Sequence, residues 1–353
     1  MGLKKMTLAE RIYSVMIEHG KPLSVKEIYE EIQDKPQNTI RGRIYDNIGK
    51  FFKKIAKGVY WVEDGESACV VLEADGRKEG LRLLDDSSVD AIVTDHPWKD
   101  PLAHKGGNRN LTSDYNCFRY TLADFQEKAR VLKDGSFLVE ILPSESATNY
   151  EYLYEIKQMA KKAGFQYYAK VPWKKGDFVA NTGRCSKNTE DVMFFVKSSN
   201  SNARKLRPDK KKIIQGDVDA KMSGTAYMLP TCFDIEPPSR KERIHQAEKP
   251  VNLYTQILEA ITLPGEVIVD QFAGSGVLGE SVLTLKNRIG ILFESLHINV
   301  EKIVKRLNAK CIYKEELTEI IGTACSRKQT SILDKKRRNE IFSDIEQLEL
   351  ALF

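Results

Sequence analysis

The stretch VIVDQFAGSG (267–276) decides the fold: an apolar run, a carboxylate at its end, then a glycine-bearing turn. Val267, Ile268 and Val269 are the β-branched residues of a buried strand, and Asp270 closes it. Gly274 and Gly276, with Ser275 between them, let the backbone approach a ligand where a Cβ clashes. A helical run follows over 277–286, so the unit reads strand, turn, helix, with helix N-terminal amides beside a ligand's polar groups. Eighteen residues past Gly276, Glu294 ends a second strand, RIGILFE (288–294). A carboxylate at that place accepts both hydroxyls of a ribose. A dinucleotide asks for three glycines in such a turn, and the next glycine here stands at 279, which disfavours a nicotinamide cofactor.

Outward from this unit the same alternation continues. VVLEAD (70–75), DAIVTD (90–95), SFLVEILP (136–143), QYYAKVPW (166–173), DVMFFV (191–196) and EVIVDQF (266–272) join RIGILFE as buried-strand candidates. Helices are expected over 121–133, 150–163, 251–262, 277–286 and 296–308. The fold class is therefore α/β: a doubly wound, mostly parallel, seven-stranded, Rossmann-like sheet spanning 70–325. In such sheets ligands bind at the carboxyl ends of the strands, and there DAIVTD delivers Asp95, followed by His96, Pro97 and Trp98.

That tetrapeptide suits amino methylation. The lone pair of an exocyclic amino group is delocalised into its ring, so the nitrogen is a poor nucleophile. Hydrogen bonds from its N–H groups to a carboxylate and a backbone carbonyl favour a pyramidal nitrogen. Trp98 offers a stacking face for a base flipped out of a duplex. Positioning does most of the work, without a covalent intermediate. None of the six cysteines follows a proline, which argues against covalent attack on a pyrimidine ring, and none lies in a CxxC or other zinc-ligand spacing, so no metal is expected.

Together these segments resemble the β-class DNA amino-methyltransferases of the N6-adenine/N4-cytosine type. Asp95-His96-Pro97-Trp98 is similar to the family's Asp-Pro-Pro-aromatic motif at three of four positions, and Phe272, Gly274 and Gly276 to its cofactor loop. HQAEKPVNLY (245–254) resembles the motif before that loop, with Lys249 and Pro250 as its Lys-Pro, and ARVLKDGSFLVEI resembles a further strand-bearing motif. The resemblance covers about 70–310 and implies the cofactor S-adenosyl-L-methionine. Asp75, Lys249, Pro250, Asp270, Phe272, Gly274, Ser275, Gly276 and Glu294 would hold it. It implies a catalytic set of Asp95, the His96 carbonyl, Pro97 and Trp98, with a target-recognition insert over 197–244. An aspartate at the motif's first position favours adenine N6 over cytosine N4. His96 departs from the family's first proline: the carbonyl is kept and the fixed φ is lost. A catalytically silent DNA-binding homologue is thus one alternative. An RNA adenosine N6-methyltransferase, whose motif carries the same tryptophan, is another.

Ahead of this domain, residues 1–62 carry 12 Lys/Arg against 7 Asp/Glu, a difference equal to the +5 of the whole chain. Leu8, Ile12, Val15 and Met16 mark a first helix ending at His19-Gly20, and SVKE opens a second with a capping box. Thr39–Phe52 predicts a third, and KGVYWV a closing strand. Three helices and a wing predict a winged helix, and the segment resembles the HARE-type domain through HGKPLSVKEIYEEI and GVYWV. Arg41, Arg43, Lys50, Lys53 and Lys54 form its expected DNA face, with Lys105 and Arg109 added from the loop after Trp98. A small helical dimerisation module with a solvated basic face is the plainer reading. Residues 63–69 serve as a linker, and 326–353 form a helical tail suited to a partner subunit or the domain body. Double-stranded DNA is the expected partner. A homodimer and a restriction-system partner are compatible with it. No apolar run reaches the ~18 residues of a membrane helix, so a cytoplasmic protein is expected.

Overall fold

In the computed structural model, which describes residues 6–98, 117–176, 188–198, 206, 228–239, 243 and 248–316, the chain opens with helix α1 (Leu8–His19). Thr7 caps it. The Thr7 hydroxyl accepts from the Glu10 N–H at 3.3 Å, and the Glu10 carboxylate accepts from the Thr7 N–H at 2.6 Å. Helix α2 (Val25–Glu31) begins on the same device at Ser24 and Glu27, the box legible in SVKE. Helix α3 (Gln37–Tyr45) stops well short of the expected Phe52. The Asn47 carbonyl collects the N–H groups of Lys50, Phe51 and Phe52, so the chain turns there and Lys53 and Lys54 fall on strand β2 (Phe52–Ala56). With β1 (Leu23–Ser24) and β3 (Val59–Val62), this strand makes a three-stranded antiparallel sheet of order β1-β3-β2.

The module is docked on the rest of the chain. Lys53 Nζ donates to the Gly265 carbonyl at 2.5 Å, Lys54 pairs with Asp85, and Lys310 Nζ lies 2.7 Å from Glu27. The stretch 63–69 is shorter as a linker than expected, because strand β4 (Ala68–Glu73) already begins inside it.

All seven expected strands are present: β4, β5 (Val89–Thr94), β6 (Leu132–Pro143), β7 (Phe165–Lys174), β8 (Thr189–Lys197), β10 (Val267–Asp270) and β11 (Ile289–Glu294). Two short strands, β9 (Phe233–Asp234) and β12 (Lys310–Ile312), raise the sheet to nine in the order β12-β4-β11-β10-β5-β6-β8-β7-β9. At two and three residues they are too short to leave a period in the sequence. The run β4-β11-β10-β5-β6 is parallel, while β8 is antiparallel to β6 and β7. Every residue of β4, β5, β10 and β11 is buried, as parallel strands covered on both faces require. Helices α4 (Leu122–Val131), α5 (Tyr150–Lys162), α6 (Val251–Ile261), α7 (Val277–Thr284) and α8 (His297–Leu307) match the five expected.

The chain divides into the units Met1–Cys311 and Ile312–Phe353; the expected tail 326–353 lies outside the described residues, as does most of the insert 197–244. Among the described residues no helix is long and apolar enough to cross a membrane.

Candidate active site

The parallel run brings the carboxyl ends of its strands to one edge, and two of them are joined there. Thr94 Oγ1, at the end of β5, donates to Asp270 Oδ1, at the end of β10, at 2.8 Å. The glycine loop and the tetrapeptide are thereby neighbours. Asp270 is buried, and burial pushes its carboxyl up to about 7, with repulsion from Asp95 and Glu294 adding to the rise.

The loop itself is set by backbone geometry. Gly274 and Gly276 have φ of 54° and 80°, and a Cβ on Gly276 would stand 2.8 Å from Ile303 Cγ2 on α8. The Gly274 N–H donates to Glu294 Oε2 and the Leu296 N–H to Glu294 Oε1, both at 2.9 Å. Arg306, held by Glu248 at 2.9 Å, donates to the Ser275 carbonyl at 3.2 Å. Asp75 comes to the same place. Its carboxylate accepts from the Arg77 N–H at 2.9 Å and opens a tight turn over Gly76–Gly80. That turn lies so close to the loop that a Cβ on Gly76 would meet the Gln271 carbonyl at 2.1 Å. Gln271 Nε2 seals the approach by donating to the Gly76 carbonyl at 3.0 Å. Gln271 Oε1 is buried there without a hydrogen-bond partner.

The tetrapeptide is set by charge. Lys249 Nζ sits 2.6 Å from Asp95 Oδ2 and 3.3 Å from Glu190 Oε2, and Lys175 pairs with Glu190 from the other side. Asp95 remains 25% exposed, enough for a partner to reach it. Burial raises its carboxyl above the ordinary range, and the Lys249 ammonium works against that rise. Lys249 therefore arrives at the target motif, although the sequence placed it with the cofactor residues.

His96 is buried, at 1% exposure. The Tyr152 hydroxyl on α5 accepts from the Tyr120 N–H at 3.1 Å and meets His96 Nε2 at 2.8 Å. Either group can donate in that contact, because the hydroxyl oxygen has room to accept from both the Tyr120 N–H and Nε2. Nδ1 lies 3.9 Å from Glu140 Oε2, beyond hydrogen-bond reach, and is unpartnered. Burial, then the nearby Lys128 and Arg77, hold the imidazole well below its usual value, so it is neutral. Glu140 closes the network: it pairs with fully buried Lys128 and accepts from the Tyr120 hydroxyl at 3.0 Å. Tyr120 stacks on His96 at 4.1 Å, and the Phe118 N–H donates to the Pro97 carbonyl at 3.1 Å. Phe118 also packs 5.3 Å from Phe272, which links the tetrapeptide to the glycine loop. Trp98 is partly exposed.

On the N-terminal module, Arg43 and Lys50 are exposed and Arg41 lies 5.8 Å over the Tyr45 ring. Lys53 and Lys54 do not join them: the end of α3 at Tyr45 turns both toward Gly265, Glu63 and Asp85. Lys105 and Arg109 lie outside the described residues. Trp173, beside two lysines that invite a phosphate reading, is core, donating to the Ile235 carbonyl at 2.8 Å. Glu140, Lys128, Tyr120, Tyr152 and Glu190 were missed. A signal existed for Glu140, a lone charge inside the apolar run SFLVEILP.

The DNA methylase family model matches residues 89–305, more than half of the chain, and includes the tetrapeptide and the glycine loop but not the Asp75 turn or Arg306. The chain belongs to the DNA methylase family. Its substrate is DNA and its cofactor S-adenosylmethionine. The type II methyltransferase M.HpaI of Haemophilus parainfluenzae is 22% identical over 236 residues, 66% of this chain and 72% of the relative. The type II methyltransferase M2.MboI of Moraxella bovis is 25% identical over 235 residues, 62% of this chain and 80% of that one. The solved structure of the cytosine-N4-specific PvuII DNA methyltransferase matches 72% of this chain and 91% of its own at a TM-score of 0.50 and 18% identity, a likeness of fold.

The residues present fit the cofactor. Asp75 and Glu294 bring carboxylates to the turn 272–276, whose own amides are mostly tied back onto Asp270, Phe293, Glu294 and Ala273. The orphaned Gln271 Oε1 adds a buried acceptor beside them.

Proposed function

We propose that this chain transfers a methyl group to the exocyclic amino nitrogen of a flipped-out DNA base, adenine N6. The observation that carries the reading is the Thr94–Asp270 hydrogen bond of 2.8 Å, which sets Asp95 beside the glycine loop. Bound S-adenosylmethionine supplies an electrophilic methyl group on a sulfonium. Asp270, Phe272, Gly274, Ser275, Gly276, Glu294 and Asp75 hold it at the loop. Asp95 and the His96 carbonyl accept the two amino N–H groups, which localises the nitrogen lone pair, and Trp98 stacks on the base. His96 replaces the rigidity of a proline with packing: its ring is held by Tyr152 and Tyr120, and the Phe118 N–H anchors the next carbonyl. Adenine is favoured by the aspartate at the first position of the motif.

The N-terminal module is read as a winged helix. Its element order, α1-β1-α2-α3-β2-β3 with sheet order β1-β3-β2, supports this, as do the exposed Arg43 and Lys50 on and just after α3. The Arg43→Ala/Lys50→Ala variant is expected to weaken DNA binding and flatten its salt dependence by about 1 in log–log slope per lost phosphate contact. An unchanged slope removes α3 from the interface.

The deciding experiment is incubation with labelled S-adenosylmethionine and unmethylated DNA, followed by nucleoside mass spectrometry. N6-methyladenine is the expected product, and N4-methylcytosine corrects the base alone. In the same assay Asp95→Ala is expected to lose about 10²–10³-fold in turnover, the scale of one preorganised hydrogen-bond partner, with cofactor affinity retained. Cofactor binding without any transfer overturns the catalytic reading.

A further inference from the structure

We propose that Lys249 is a positioning residue for the target amino group, acting through Asp95, and not a cofactor ligand. The inference rests on the reading of Asp95 as the acceptor of an amino N–H. Lys249 Nζ lies 2.6 Å from Asp95 Oδ2, with its side chain only 11% exposed. The ammonium is therefore largely withdrawn from solvent while Asp95 stays open on one side. One ammonium on Oδ2 leaves Oδ1 for a second donor.

Three features hold Lys249 in this place. Pro250 follows it and caps α6, so the backbone of Lys249 is confined to extended conformations and the side chain starts from one direction. Glu190 receives the same ammonium at 3.3 Å and is itself tied by Lys175. Glu190 in turn sits on β8, in register with Pro143 on β6 and Trp173 on β7, in the interior of the sheet. Lys249 thus bridges a fixed carboxylate to a working one.

The charge balance explains what the bridge does. An amino N–H can donate to an ionised carboxylate, whereas a protonated Asp95 presents a competing donor. Burial favours the protonated form, and a cation at 2.6 Å opposes it. Glu190 shows the same cations at work: despite its burial, Lys249 and Lys175 hold it below the ordinary carboxylate range. Removing Lys249 leaves half-buried Asp95 beside another carboxylate, so Asp95 protonates at higher pH.

The test compares Lys249→Met and Lys249→Arg in the full chain, with three readouts. The first is the pH profile of methyl transfer to unmethylated DNA. In Lys249→Met its acid limb is expected to move up by about 1–3 pH units, and in Lys249→Arg to return toward the wild-type position. The second is calorimetric affinity for S-adenosylhomocysteine, expected to be unchanged in both variants. The third is the carboxyl ¹³C titration of Asp95, assigned by its loss in Asp95→Asn, expected to shift the same way as the acid limb. Lost S-adenosylhomocysteine affinity with an unmoved titration makes Lys249 a cofactor ligand and overturns the proposal. A chain that transfers no methyl group overturns the proposed activity instead, while the ¹³C titration still decides whether Lys249 governs Asp95.

Discussion

The two halves of the site are built by different physics. At the loop 272–276 the work is done by main chain: left-handed glycines, amides on the Glu294 carboxylate, and a turn at Gly76 approaching too closely for any Cβ. At the tetrapeptide it is done by buried charge: Lys249 between Asp95 and Glu190, and Lys128 on Glu140 beneath neutral His96. A backbone cradle suits the parts of a cofactor that take no part in the reaction. A charged cradle suits an amino group whose nucleophilicity has to be tuned. The centre of the first half, 270–276, is one continuous stretch, whereas the second is assembled from side chains scattered from Asp95 to Lys249.

Four changes break or sharpen this contrast, the largest first. Lys128→Met strands the fully buried Glu140 and is expected to cost about 3–5 kcal/mol in urea denaturation, as for any buried pair cut on one side. Adding Glu140→Leu to it is expected to recover most of the loss, because the uncompensated charge goes with it. Asp270 stands where the halves meet, and its raised carboxyl has a signed consequence. The native state holds its proton up to about 7 whereas the ordinary value is 3.8, so the stability it contributes is full below 3.8 and is lost as the pH rises to about 7. A rise of that size corresponds to roughly 4 kcal/mol, at about 1.4 per unit. Asp270→Asn is expected to flatten the stability–pH curve across that window, read by denaturation at several pH values.

Gly276→Ala attacks the main-chain half. It is expected to cost about 1–3 kcal/mol for a non-glycine left-handed residue, and to reduce S-adenosylhomocysteine affinity in calorimetry. Last, His96→Phe keeps an aromatic ring in place and removes the hydrogen-bond partner of the Tyr152 hydroxyl, for an expected cost of about 0.5–1.5 kcal/mol, one net hydrogen bond. It is expected to lower methyl transfer without changing cofactor affinity, which assigns His96 to the charged half.

Legibility follows the same division. Seven strands, five helices and the glycine loop were readable because each rests on a local rule: β-branched runs, helical periods, glycine where φ is positive. The tetrapeptide was readable as a motif, but its support was not. Lys249 and Asp95 are 154 residues apart, and no local pattern announces that one ammonium will reach the other. The Lys53 and Lys54 reading failed on a boundary. An apparent helix to Phe52 placed them on the basic face, whereas the turn at Asn47 sends them to the body.

The parallel pairing of β4 with β11 carries a consequence for how the chain is made. Arg288, beside the start of β11, bonds Ser67, beside the start of β4, across 221 residues. β4 leaves the ribosome early and has no partner on this side until β11 follows. At about 5–20 residues per second, that wait is roughly 10–40 s. During it the edge of β4 that β11 will cover is shielded only by whatever holds nascent chains apart. The yield of folded protein is therefore expected to depend more on translation speed and chaperone supply than on the equilibrium stability of the finished sheet.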